Sequence, residues 1–214
     1  QVAATVAALE TVAQHYREGI AAVRFHLGRH HPALVELHVR FGELQLRLAK
    51  ALRCSLPPLP AAASRSPLGA QLASPSARPS EATVAVLRQR ESRLALARDS
   101  FEQAEVLART ALGSSHPACA RLALHLGDYA SEMGDGAEAV SAFMRAVAMF
   151  DATALPDAEL DAATARVTLS ETLALRGDVA GALAVAEEAL LVRIAVRCVV
   201  VASLGGVRCS VRHI

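Results

Sequence analysis

Apolar positions along this chain recur mainly at spacings of three and four. Between Pro117 and Met133, Leu122, Leu126, Tyr129 and Met133 fall on one stripe, which predicts an amphipathic helix. Gly134-Asp135-Gly136 breaks it, and Ala139, Phe143 and Ala146 form the stripe of a second helix from about Ala137 to Phe150. The same order returns downstream, with a helix over Asp157–Arg176, a break at Gly177-Asp178 and a helix from Val179 to about Arg197. Helix, tight turn, helix, loop is the predicted unit.

A longer period lies over this pattern. Leu27-Gly28-Arg29-His30-His31-Pro32 returns 85 residues later as Leu112-Gly113-Ser114-Ser115-His116-Pro117, and each copy has a second glycine fourteen residues after its first, Gly42 and Gly127. The offset divides into steps of 42 and 43, on which Gly42, Ala85, Gly127 and Ser170 fall one per unit. Ala97, Ala139 and Ala182 keep the same step, as do Ala104, Ala146 and Ala189. A period in this range indicates a stacked array, here of four units, with a partial unit before them in which Tyr16 takes the aromatic position and Gly19 the small one. Small residues suit such an array because larger side chains would push closely crossing helix axes apart. Phe101 and Phe143 sit between two alanines and fill the space beside the contact, whereas Ala186 replaces the aromatic in the last unit. The His-Pro step reads as a helix start: proline lacks an N–H that would be unsatisfied there anyway, and histidine precedes it within reach of orphan N–H groups.

Two regions depart from the pattern. Residues 54–80 hold six prolines (Pro57, Pro58, Pro60, Pro67, Pro75, Pro79) among Ala, Ser and Gly, which reads as a loop or linker, with Leu68-Gly69 as the trace of a decayed helix. Beyond Arg197 there is no acid, and Cys198-Val199-Val200-Val201 favours a strand over a helix. The expected organisation is therefore an N-terminal partial repeat with the first helices over 1–53, a loop over 54–80, repeats over 81–197 and an irregular tail over 198–214. The register places Gln1 inside a unit, so the sequence reads as a piece of something longer.

Charge narrows the partners. Lys plus Arg is 22 against 21 for Asp plus Glu, a net charge of +1 that makes no bulk case for nucleic acid or an anionic membrane. Aromatics are 3% with no Trp, which argues against stacking platforms for single-stranded nucleic acid. Cys54, Cys119, Cys198 and Cys209 form no Cys-x-x-Cys pair, and no leader is visible, which fits reduced thiols in a cytoplasmic setting. The uncharged run from Cys198 to Val207 is too short to span a bilayer.

At Leu126, Gly127, Gly134, Ala139, Phe143 and Ala146 the chain resembles the tetratricopeptide repeat, and its Leu-Gly-x-x-His-Pro loops resemble the 42-residue kind seen in kinesin light chains. The resemblance runs from about Leu27 to Val192, interrupted at Ser55–Ser80, with Thr168 to Ala189 matching less fully. It implies an all-α solenoid of antiparallel helix pairs wound as a right-handed superhelix. It further implies a non-catalytic scaffold whose first helices line a concave groove for a peptide or helix of a protein partner. The matching groove positions are Glu36, Val39, Glu43, Leu46 and Arg47, then Val86, Gln89 and Arg90. After these come Arg121, Leu124, Asp128, Ser131 and Glu132, and finally Thr164, Val167, Glu171, Ala174 and Leu175. Kinesin relatives clamp a peptide backbone with groove asparagines, and this chain contains no asparagine. The groove charge is mixed, which argues against a strongly acidic or basic ligand there. The competing resemblance is to the helical C-terminal module of SET-and-MYND-type protein-lysine methyltransferases, through Phe41-Gly42-Glu43-Leu44-Gln45-Leu46. Self-association is a third option, because the last unit has no polar capping helix.

Catalytic and metal chemistry find little support in the residues. His26, His30, His31 and His38 lack a cysteine or carboxylate at zinc-site spacing, so no metal or cofactor is expected. Ser114-Ser115-His116 are chain neighbours in a loop, no Gly-x-Ser-x-Gly elbow exists, and Gly205-Gly206 lacks the lysine of a phosphate loop. Arg88, Arg90, Arg93 and Arg98 read as one solvated helix face. Ser66-Pro67 and Ser74-Pro75 have the form of proline-directed phosphorylation sites.

Overall fold

The computed structural model describes the backbone of residues 2–55, 80–153 and 156–205, and side-chain surroundings for 4–54, 80–153 and 158–196. The described elements are all helices: α1 (Val2–Leu27), α2 (Ala33–Ser55), α3 (Glu81–Ala111), α4 (Pro117–Met133), α5 (Gly136–Asp151), α6 (Pro156–Leu175) and α7 (Val179–Gly205). Each helix packs on its chain neighbours, and α2 also meets α4 as α4 meets α6. Contact with the next helix and the next but one is the pattern of stacked hairpins. The solenoid expected from the period is what the chain forms.

The loops start and stop these helices as the residues predict. Gly28 and Gly113 carry φ values of 94° and 88°, left-handed backbone that favours glycine. His116 is the N-cap of α4, its Nδ1 accepting from the Ala118 N–H at 3.2 Å, with Pro117 in the first turn. His31 does the same for α2, accepting from the Ala33 N–H at 3.2 Å. Gly134 closes α4 at φ 83°, and the Asp135 carboxylate then caps α5 by accepting from the Glu138 N–H at 3.1 Å.

The core shows why small residues repeat. Ala97, Ala104, Ala139 and Ala146 are fully buried, and Ala182 and Ala189 nearly so. At Gly127 an added Cβ would fall within 3.0 Å of the Phe143 ring, and at Gly42 it would meet Phe101 at 2.6 Å. The two contacts are equivalent: a glycine on one helix of a hairpin accepts the phenylalanine of the other.

That equivalence corrects the unit count. The steps of 42 and 43 predict a first helix near Ala85 and a separate second helix through Phe101. Instead α3 is one continuous helix of 31 residues that packs on α2 as its second helix. Gly127 and Phe143 are 16 residues apart, while Gly42 and Phe101 are 59 apart. The excess of 43 equals one repeat step, so an inserted stretch imitated a whole unit. Ala85, counted among the small positions, is exposed, whereas Gly42, Gly127 and Ser170 are buried. The hairpins are therefore α2–α3, α4–α5 and α6–α7, with α1 preceding them.

The tail needs a second correction. Residues Cys198–Gly205 continue α7 rather than forming a strand, because the valine run extends a helix already nucleated upstream. Residues 56–79 and 206–214, with Leu68-Gly69, Ser66, Ser74 and Cys209, lie outside the described residues. Cys54 and Cys119 are free thiols. No described helix is long and apolar enough to cross a membrane.

Candidate binding groove

Contacts of α2 with α4 and of α4 with α6 set the three first helices side by side, and their outward stripes form the candidate groove. On α2 the stripe is Glu36, Arg40, Glu43 and Arg47, spaced three and four apart so that opposite charges neighbour one another. Arg40 Nε donates to Glu36 at 2.8 Å, Arg40 Nη1 to Glu43 at 3.4 Å, and Arg47 Nη2 to Glu43 at 2.5 Å. Counting from Gly42 to Gly127, the same positions on α4 are Arg121, His125, Asp128 and Glu132. From Ser170 on α6 they are Thr164, Thr168, Glu171 and Leu175.

On the α4 stripe His125, Asp128 and Glu132 are half-buried, whereas Glu36, Arg40, Arg47 and Arg121 are exposed. His125 lies flat on Phe101, with ring centroids 5.7 Å apart and planes 4° from parallel, so the buried ring that fills the Gly42 slot also supports the α4 stripe from beneath. Burial lowers the His125 pKa and favours the neutral ring, against the raising influence of Glu43 and Asp128. Asp128 is shifted the other way: burial raises its pKa, opposed by Lys50 and His125. Glu132 is held from two directions, by Arg53 at 3.3 Å and Arg90 at 3.4 Å, and Arg90 also donates to its backbone carbonyl at 2.8 Å.

Sequence-predicted groove residues divide accordingly. Glu36, Glu43, Arg47, Arg121, Asp128, Glu132, Thr164, Glu171 and Leu175 fall on the three stripes. Val39 and Leu46 do not reach the surface, because both are buried in the cluster joining α1 to α4. Leu124 is half-buried against the α4–α6 core, Val167 is half-buried, and Ser131 is exposed beside its stripe. Val86, Gln89 and Arg90 belong to the N-terminal part of α3 and form no groove helix of their own; Arg90 still reaches the groove end through Glu132. Arg40, Lys50, Arg53 and His125 also lie on or beside the candidate groove and are not among the positions that the resemblance implies. The signal for Arg40 and His125 was their shared position two residues before Gly42 and Gly127.

Among the described residues no cluster of three or more His, Cys, Asp or Glu could hold a metal ion. His26 stacks edge-on against Phe25, and His38 is buried with its Nε2 accepting from Arg24 at 3.1 Å.

A family comparison agrees with this architecture over part of the chain. Residues 80–152 match the tetratricopeptide repeat family model, a span that takes in α3, α4 and α5. No curated protein matches the chain in sequence. Among solved structures it is similar to BtubC (BKLC) from P. vanneervenii, at 15% identity and a TM-score of 0.46 over 96% of this chain and 78% of that one. The tetratricopeptide-repeat resemblance read from the sequence is thus matched over residues 80–152, within a chain whose described elements are all helices.

Proposed function

We propose that the chain is a non-catalytic protein-interaction scaffold that holds a segment of a partner across the stripes of α2, α4 and α6. Tetratricopeptide repeats generally mediate contacts between proteins, which supports the class of function. The observation that carries the reading is the side-by-side packing of α2, α4 and α6, which aligns polar side chains from three hairpins on one surface. Those side chains are already ordered by ion pairs along α2 and across the Arg53–Glu132–Arg90 junction. A ligand meeting a preorganised surface bears most of the ordering cost itself, which favours affinity for a short segment.

The mixed signs select a segment carrying both charges. Surface pairs such as Arg47–Glu43 contribute only about 0–1 kcal/mol, so a ligand carboxylate or ammonium can replace one partner at little cost. Neither the family match nor the fold favours the methyltransferase-module reading. A cytoplasmic location and a protein rather than nucleic-acid partner belong to the same proposal.

The test is a pull-down comparing the chain with Arg121→Glu/Glu171→Arg, two exposed groove positions. An Arg98→Glu/Glu102→Arg swap on the exposed face of α3 serves as control. We expect at least one protein to be lost from the groove variant and kept by the control. Identical sets of bound proteins from all three would refute the groove.

A further inference from the structure

On the other side of α2 lies a second surface that the groove does not use. His38 and Phe41 sit about half a turn around α2 from the Glu36–Arg40–Glu43–Arg47 stripe, at 100° per residue. They floor an open cavity of about 460 Å³ between α1 and α3, whose walls are Arg17, Ile20 and Arg24 on one side and Leu96, Asp99 and Gln103 on the other. A further cavity of about 730 Å³ shares Ala21, Arg24 and Gln103 with the first and continues it past Phe25, Arg29 and Val106. Together they form one trough. Helices α1 and α3 do not pack directly along it; Glu10 and Arg93 tie them by an ion pair.

The trough has two properties that call for an occupant of one kind. Its lower half exposes large apolar side chains, with Phe25 84% and Val106 61% accessible. Its α1 wall is basic and uncompensated. Arg40, Arg47, Arg53, Arg98 and Arg109 each have a carboxylate partner. Among the described residues Arg17 and Arg24, and Arg29 in the loop just beyond α1, pair with no carboxylate, as Arg88, Arg121, Arg145, Arg176 and Arg193 do not elsewhere. The trough gathers three of these side by side, Arg17 lying over the Phe41 ring at 5.6 Å and Arg24 donating to the His38 ring. Asp99 is the single acid lining the trough. Arg17 and Arg24, two turns apart, project along one wall at a spacing of about 10 Å.

We propose that the trough between α1 and α3 is a second docking site, for an acidic amphipathic segment of a partner protein. Its carboxylates pair with Arg17, Arg24 and Arg29 while an apolar side chain covers Phe25 and Val106. Carboxylates seven residues apart on a docked helix match the Arg17–Arg24 spacing. The site is independent of the groove, so one chain can hold two segments at once.

Fluorescence anisotropy on the full chain tests this with three labelled 18-residue helical peptides. The first carries a leucine stripe flanked by glutamates, the second has lysine for every glutamate, and the third has alanine for every leucine. The first is expected to bind, more weakly as salt rises, and the other two at least tenfold more weakly. Arg24→Glu/Arg29→Glu should weaken the first peptide at least tenfold, whereas Arg121→Glu/Glu171→Arg should leave it unchanged. Arg17→Gln, with helicity checked by circular dichroism, guards against misfolding of the double variant and should weaken binding severalfold. No binding of the first peptide, equal binding of the lysine peptide, or loss only in the groove variant each overturns the proposal.

Discussion

At the scale of single residues, two histidines show opposite uses of one side chain. His116 works because its Nδ1 is free to accept the Ala118 N–H at a helix start. Replacing a cap of this kind costs about 1 kcal/mol. His116→Ala should lower the thermal midpoint accordingly, and His116→Asp should restore it; the two variants melting alike would deny the capping role. His38 works buried. Burial first, and the Arg24 guanidinium second, lower its pKa from 6.5 to about 4. The unfolded chain therefore takes up a proton near pH 6.5 that the folded chain refuses until about pH 4. Stability is lost as pH falls through that window, and none of this loss occurs above it. Urea midpoints measured at pH 7 and pH 5 should fall for the native chain and fall less for His38→Gln. Residue chemistry of the loops was legible from the His-Pro spacing, whereas the burial of His38 was not, since a histidine on an apolar stripe carries no mark of its depth.

At the scale of elements, the hairpins α4–α5 and α6–α7 were readable because their turns carry glycine and aspartate where the helical period stops. The element that defeated the period is α3. Its N-terminal part, from Glu81, keeps helical spacing and small residues at the counted positions, so nothing local distinguishes it from a separate first helix. What settles its role is a contact 59 residues away in sequence, Phe101 in the Gly42 slot. A double-mutant cycle makes that contact measurable. Gly42→Ala should destabilise by roughly 1–3 kcal/mol through overpacking, and most of that loss should vanish in the Phe101→Leu background. Additive losses would mean that Gly42 and Phe101 are not partners. The valine run of α7 failed for a related reason: β-propensity is a weak preference that a long helix overrides.

For the whole molecule, the unit count decides what the groove is. With α3 as the second helix of α2, the next first helix is α4, and the Glu36–Arg40–Glu43–Arg47 stripe borders Arg121, His125, Asp128 and Glu132 directly. With an extra unit, another helix would stand between them. The stripe positions were largely visible from the repeat; the pairing of stripes was not, because an inserted segment one period long leaves the register intact while changing the neighbours. Spin labels at Arg47→Cys and Ser131→Cys, in a chain with its four native cysteines replaced, measure this directly. Adjacent first helices place the two backbones about 10 Å apart, one helix spacing, and strong dipolar broadening is predicted. A separation of about 20 Å, the width of an intervening helix more, would contradict the hairpin assignment and the groove built on it.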